Sequence, residues 1–345
     1  MTTEPTEKTV LNTDAIVQSI LQSIDRERER EIIARRYGLF DRKETLEQIG
    51  ELLGITRERV RQLEKSVMTK LRMTGAELPH VPEVETALLA TLATIGGSAR
   101  ITTLSDRLTA ENTRADQSRL AFLAELCPEI SVINEDDSHF QAAGTARTHD
   151  TAAMKKEIAS IVDTIKKAGA PISVADMTER AGLPSAEYAT ALASISKQLA
   201  TLNNRWGLVR WPTVNPKNIR DKIYVILSEN KKHMHFNEIA QAIKASDFKR
   251  KDVTTQAIHN ELIKDKRFVL IGRGIYALKE WGYRKGTVAD IISDVLREAK
   301  KPLHRDEIVQ LVLKSRFVKE TTILLNLQSK SQFKRVAKAT YELSE

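Results

Sequence analysis

The chain has 345 residues with 54 Lys and Arg against 46 Asp and Glu, a formal net charge of +8, and 5% aromatics. That length, so poor in aromatics, predicts a string of small helical modules rather than one large core. The single cysteine, Cys127, excludes an intramolecular disulfide and a cysteine-rich zinc site and points to a reducing compartment.

"MTTEPTEKTV" has no basic segment followed by an apolar one, and "ALLATLATIGG" is too short to span a bilayer. The expectation is a cytoplasmic, nucleoid-associated protein with no membrane partner. Charge is uneven along the chain: residues 82–150 carry a net −6 and residues 216–285 a net +8. The basic segment suits a polyanionic partner such as nucleic acid. In the acidic one, Glu125, Glu129, Glu135, Asp136 and Asp137 oppose phosphate contact, which favours a basic protein surface there.

Residues 14–36 show helical spacing of Ile16, Ile20, Ile24, Ile32 and Ile33, and Gly38 marks a helix end. "TLEQIGELLGITRERVRQLEKSVMTKLR" then predicts two helices joined by a tight turn. Thr45 and Gln48 fit a capping box, and Gly54 suits the left-handed end of the first helix. Thr56 caps the second, whose inner face is Val60, Leu63, Val67 and Leu71. This is a helix-turn-helix.

On the second helix, Arg57, Arg61 and Lys65 form one line and Glu58 with Gln62 the next, both away from the inner face and starting at the helix N-terminus. A recognition helix presents that end to the major groove. There arginine donates twice to guanine, glutamine pairs with adenine and glutamate accepts from the cytosine amine. The alternative is local pairing of Glu58 with Arg61 or Gln62 on a solvated helix.

Further on, a weaker motif recurs near residues 97, 168, 230 and 299, as if one unit were repeated. Sliding "VTTQAIHNELIKDKRFVLIGRGIYAL" (253–278) onto "VKETTILLNLQSKSQFKRVAKATYEL" (318–343) aligns Val253 with Val318, Ile258 with Ile323, Leu262 with Leu327, Phe268 with Phe333, Tyr276 with Tyr341 and Leu278 with Leu343, without a gap. Helices followed by a hairpin predict winged helices, with "RFVLIG" and "GIYAL" as one wing, and "SVIN"/"HFQAAG" and "RWGLVRW" as others.

"RERERE", "ARRYGL" and "TLEQIGELLGITRERVRQLEKSVMTKLR", within residues 14–73, resemble region 4 of the sigma-70 family, which binds the minus-35 promoter element. By that resemblance Arg57, Glu58 and Gln62 read bases with Arg61 beside them, and Arg28, Arg36 and Leu46 touch the DNA backbone. Thr56, Arg59 and Lys65 join them as candidate backbone contacts. Where the family often has a lysine one turn beyond the glutamine, this chain has Ser66 preceded by Lys65. No aromatic-rich segment resembles the part of a sigma factor that melts the minus-10 element.

"RDKIYVILSENKKHMHFNEIAQAIK" through "GRGIYALKEWGY" (220–283) resembles the HARE-HTH winged helix shared with the delta subunit of bacterial RNA polymerase. Residues 286–345 resemble a diverged copy. Candidate wing contacts to phosphate are Lys249, Arg250, Lys251, Lys264, Lys266, Arg267 and Arg273.

His233 and His235 lack partners at metal-ligand spacing and suit a surface or cap role. "GRGIYAL" lacks the third glycine of a dinucleotide loop. Cys127, beside Pro128, suits a small buried thiol. The expectation is therefore no catalytic residue, metal or cofactor.

The expected fold class is mainly α: tandem helix-turn-helix and winged-helix modules with short β-hairpin wings. The modules are 1–80, 82–148 (acidic), 151–215, 216–285 (basic) and 286–345. The expected function is a sequence-specific DNA-binding transcription regulator acting at promoter-like sites, with double-stranded DNA and bacterial RNA polymerase as partners. The alternatives are a delta-like polymerase accessory subunit that mainly contacts protein, and a chromosome-organising protein that binds DNA without sequence preference.

Overall fold

Four helices, α1 (Thr13–Gln22), α2 (Glu27–Tyr37), α3 (Leu46–Leu53) and α4 (Arg57–Met73), open the chain. The computed structural model describes residues 10–146, 150–248, 250 and 252–344. These fall into two units, Met1–Arg210 and Trp211–Glu345.

The predicted turn chemistry is in place between α3 and α4. The Thr45 hydroxyl accepts the Gln48 N–H at 3.2 Å while the Gln48 carboxamide oxygen accepts the Thr45 N–H at 2.9 Å. Gly54 closes α3 in the left-handed region at φ 63°, and the Thr56 hydroxyl accepts the Arg59 N–H at 3.2 Å. Gly50 has a different reason to be glycine: a Cβ there would stand 2.7 Å from the Ile55 carbonyl oxygen.

Neighbouring residues of α2 serve two cores. Ile32 joins Ile49 and Val60 beneath the turn, with Leu46, Leu53, Ile55 and Leu63 packed around them. Ile33 belongs instead to a larger core with Leu39, Val67, Met68 and Leu71, which continues through α1 and onward as far as Ala143. The predicted inner face of α4 is thus shared between two interiors. Met68, absent from that prediction, completes the second.

After α4 the same order of elements occurs four times: helix, short strand, two helices, hairpin. The first repeat is α5 (Val81–Thr94), β1 (Ser98–Arg100), α6 (Ile101–Leu108), α7 (Arg114–Leu126), β2 (Ile130–Ile133) and β3 (Ala142–Thr145). The second is α8 (Thr151–Ala168), β4 (Ile172–Ser173), α9 (Val174–Ala181), α10 (Ala186–Ile195), β5 (Leu199–Leu202) and β6 (Arg205–Leu208). The third is α11 (Ile219–Asn230), β7 (Met234–His235), α12 (Phe236–Ala245), α13 (Thr255–Lys264), β8 (Phe268–Gly272) and β9 (Ile275–Leu278). The fourth is α14 (Val288–Ala299), β10 (Leu303–His304), α15 (Arg305–Ser315), α16 (Glu320–Ser329), β11 (Phe333–Ala337) and β12 (Thr340–Leu343).

Each repeat holds one antiparallel three-stranded sheet with its last strand in the middle: β1-β3-β2, β4-β6-β5, β7-β9-β8 and β10-β12-β11. A mainly helical chain with short hairpin wings is the fold class expected from sequence. The first strand of each sheet was not foreseen, because two or three residues carry no readable alternation.

The first two repeats, both in the first unit, are joined by backbone and charge. The Phe140 N–H donates to the Ile195 carbonyl at 2.9 Å, and His139 bridges to Ser196. Arg100 donates to the Ser194 carbonyl and lies 3.8 Å over the Phe140 ring. In the second unit the Phe317 N–H donates to the Ile271 carbonyl at 3.2 Å, and the Phe317 ring sits 4.5 Å from that of His233.

Candidate nucleic-acid interface

The first turn of α4 faces solvent: Thr56, Arg57, Glu58, Arg59, Arg61 and Gln62 are all exposed, as is Lys65 one turn on. Val60 on the opposite side is fully buried. The cap on Thr56 and the two cores therefore hold the helix from behind and leave its N-terminal surface open.

Within this surface the polar side chains pair with one another. Arg61 grips Glu58 with two parallel bonds, Nη2 to Oε1 at 2.6 Å and Nε to Oε2 at 2.9 Å. Gln62 Nε2 stands 3.5 Å from the same carboxylate, and Arg59 Nη1 donates to Gln62 Oε1 at 3.3 Å. Arg57 reaches back across the turn to Glu47 of α3, at 3.9 Å. The hydrogen bond from Arg61 holds the Glu58 carboxyl below the usual carboxylate range, so Glu58 is an acceptor throughout neutral pH. The structure thus contains the local pairing weighed above, on a helix face that is otherwise open.

The residues matched to backbone contacts divide by burial. Arg28 is exposed, and its Nη2 donates to the Leu53 carbonyl at 2.5 Å, closing the end of α3. Arg36 is braced between Glu64 of α4, at 3.3 Å, and the Glu44 carbonyl, at 3.2 Å. Leu46 packs on the small core beneath the turn. Arg28 and Arg36 thus tie α2 to the end of α3, to the segment before α3 and to α4, while Leu46 packs α3 onto the core that the three helices share.

Among the wing cations, Lys264, Lys266 and Arg273 are exposed. Arg267 turns inward, to Asp265 at 2.7 Å and Asp221 at 3.1 Å, with its guanidinium 5.3 Å from the Tyr224 ring centre. The Arg250 side chain is exposed while its carbonyl accepts from buried Lys222 at 2.6 Å. Lys249 and Lys251 lie outside the described residues.

Acids that looked like a repulsive patch are largely engaged with neighbouring cations. Glu125, only 7% exposed, receives Arg72 of α4 at 2.6 Å and the Tyr37 hydroxyl at 3.0 Å. Glu135 pairs with Lys197 at 2.7 Å and Asp136 with Lys155 at 2.9 Å. The basic protein surface anticipated for this segment is therefore, at these three residues, the chain's own. Sequence offered one signal for this arrangement, the net −6 of residues 82–150 followed directly by the net +3 of residues 151–215.

His235 takes the cap role foreseen for it, its Nδ1 accepting the Asn237 N–H at 3.3 Å at the start of α12. Cys127 is buried, and burial pushes its thiol up to about 12. Among the described residues no helix is long and apolar enough to cross a membrane.

The structure therefore holds a helix-turn-helix followed by four repeats of helix, short strand, two helices and hairpin. A family model described as sigma-70, region 4, matches residues 26–73, so the resemblance read over 14–73 holds across most of that stretch. The RNA polymerase sigma factor RpoD of Helicobacter pylori (strain ATCC 700392 / 26695) is 48% identical over 60 residues, 17% of this chain and 9% of that protein. The RNA polymerase sigma factor SigA of Nostoc sp. (strain PCC 7120) is 46% identical over 57 residues, 16% of this chain and 14% of that protein. SigA1 of Synechococcus elongatus is 54% identical over 46 residues, 13% and 12% respectively. The chain thus spans between 9% and 14% of the length of these curated relatives.

Proposed function

We propose that this chain is a transcription regulator that binds DNA sequence-specifically at promoter-like sites and works with bacterial RNA polymerase. The observation that carries this is the open, capped first turn of α4, with Arg57, Glu58, Arg61 and Gln62 exposed in a segment matching sigma-70 region 4. Arg57 and Arg61 suit guanine, Gln62 adenine and Glu58 the cytosine amine. On a base edge the exposed bonds among Glu58, Arg61 and Gln62 exchange for bonds of the same kind, so local pairing is compatible with readout.

Thr56, Arg59 and Lys65 flank the base readers toward phosphate, and Arg28, Arg36 and Leu46 meet the DNA backbone from α2 and α3. Residues 216–285, in their resemblance to the delta-type winged helix, supply Lys264, Lys266 and Arg273 to flanking backbone or to polymerase. The protein acts in the cytoplasm, on the nucleoid, without catalysis or a cofactor.

Selection of duplexes from a random pool by the full chain tests this reading, and one enriched motif is the expected result. Enrichment of no motif would sink base readout and leave a general chromosome-organising binder. Polymerase retention with and without nuclease separates a shared DNA site from direct contact.

A second reading, a polymerase accessory subunit that mainly grips protein, draws on one observation. Ile24, Val67, Leu71 and Leu78 line an open groove beside α4, and Met73 at its edge is 83% exposed. Met73→Glu in the full chain abolishes polymerase retention if that reading is correct and leaves it intact otherwise.

A further inference from the structure

The third and fourth repeats are superimposable in register and opposite in surface chemistry. Phe268 pairs with Leu278 as Phe333 pairs with Leu343, Leu270 with Tyr276 as Arg335 with Tyr341, and both hairpins shift register at the same place, before Gly272 and Ala337. Two hairpins with one backbone plan therefore differ only in what they present.

In β8–β9 one face is dry. Val269, Ile271 and Ala277 are buried, with Ile275, Trp281 and Tyr283 packed on them. The corresponding residues of β11–β12 are Lys334, Val336 and Glu342, of which Lys334 and Val336 are exposed and Glu342 half-buried. Lysine and glutamate across from each other, in place of valine and alanine, make a face suited to water or to a charged partner.

The same hairpin concentrates positive charge. Lys330 just before it, Lys334 and Arg335 on β11, and Lys338 in its turn are all exposed. Glu342 is the one acid between Lys330 and Leu343. None of the four cations forms an ion pair with a described residue, whereas Arg267 of the third repeat is held by two aspartates. Arg335 Nε donates to the Ala337 carbonyl at 3.2 Å, which anchors the base of the guanidinium and aims the rest outward.

We infer that the β11–β12 hairpin is a second phosphate-binding surface, taking the backbone of duplex DNA through Lys330, Lys334, Arg335 and Lys338. β11 is the edge strand of its sheet, so Lys334 and Arg335, which leave it on opposite faces, flank one exposed edge with Lys330 and Lys338 at its two ends, and a duplex laid along that edge meets all four. Three of the four are lysines and the Arg335 Nε is already bonded to the Ala337 carbonyl, so the contact adds affinity and salt dependence rather than sequence preference. The inference rests on the DNA-binding reading above.

The test is salt-dependent binding of the full chain to an enriched duplex and a scrambled one. Replacing Lys334, Arg335 and Lys338 together by alanine lowers the slope of log K against log salt by about 2 to 3, at about 0.9 per phosphate contact, equally on both duplexes. Lys334→Arg with Arg335→Lys and Lys338→Arg keeps the slope. An unchanged slope in the alanine variant overturns the inference while leaving base readout intact. Equal loss in both variants assigns the residues to folding and overturns it too, as does an alanine variant that loses only its binding to polyglutamate, which makes the partner an acidic protein. A wild-type chain without sequence preference whose slope still falls in the alanine variant sinks base readout and keeps the hairpin. Binding to neither duplex sinks both.

Discussion

Glu58 sits among three arginines yet is held by one of them, and that arrangement separates its two possible uses by experiment. If it meets a cytosine amine, Glu58→Ala loses preference at one base pair while gaining affinity for random DNA, because a negative charge has left the phosphate surroundings. If it only tethers Arg61, random-DNA affinity rises with no base preference lost. Competition binding with single-base variants of the site reads the difference. Arg57→Ala and Gln62→Ala should each relax preference at one position by about 1 to 3 kcal/mol of discrimination, measured the same way. Gly50 makes a folding prediction against the usual trend, since glycine to alanine inside a helix ordinarily stabilises by about 1 kcal/mol. Here the added methyl meets the Ile55 carbonyl oxygen at 2.7 Å, so Gly50→Ala should lower the thermal midpoint. Much at this scale was legible: Thr45, Gly54 and Thr56 announce their caps through residue type and spacing alone. The inward turn of Arg267 was not, because its aspartate partner at 221 is remote in sequence and a basic cluster reads the same whether solvated or paired.

Among the elements, α4 does two jobs along its length: Val60 belongs to the core beneath the turn, and Val67, Met68 and Leu71 to the core shared with the first repeat. Its spacing revealed an apolar face but not that the face meets two different neighbours. The joint also has polar contacts: Arg119 reaches Asp14 and the Leu39 carbonyl, and Glu125 takes both Arg72 and the Tyr37 hydroxyl. Glu125→Ala leaves a largely buried hydroxyl without its acceptor, at a cost of about 1 to 3 kcal/mol, and Tyr37→Phe should cost less; chemical denaturation of the two variants orders them. The joint between the first two repeats is instead acid-sensitive. The hydrogen bond from Lys155, with the Ser138 and His139 N–H groups, holds Asp136 well below the usual carboxylate range. A depressed carboxylate contributes stability that is complete above the unfolded value of ~3.9 and is lost as pH falls from there toward the folded value. Asp136→Asn should therefore lower the thermal midpoint at neutral pH and show a smaller drop than wild type below pH ~4. The hairpin pairings were legible where the two copies could be slid together at constant offset, since Phe268 and Phe333 or Tyr276 and Tyr341 fix the register. The first two wings were legible only in part, because β3 is "AAGT" and lacks the branched or aromatic residues that mark a strand.

For the molecule as a whole, net charge was a poor guide and its distribution a better one. The acidic stretch and its basic neighbours are matched within the first unit through Glu125, Glu135 and Asp136, pairings that remove equal numbers of positive and negative charges and leave the total of +8 to the rest of the surface. The shared core also predicts how the chain can be cut. A fragment ending at residue 80 exposes Ile33, Leu39, Val67, Met68 and Leu71 and should melt without a cooperative transition, whereas residues 1–210 and 211–345, each a unit, should melt cooperatively; calorimetry distinguishes them. The same continuity bears on direction. Because the far half of α4 is cemented into the body that follows, that body cannot swivel about the exposed first turn of α4, and a duplex bound there as proposed would have its polarity fixed relative to the first two repeats. Inverting an asymmetric target would then carry those repeats to its other flank, so footprints of the two orientations should extend to opposite sides of the same core site.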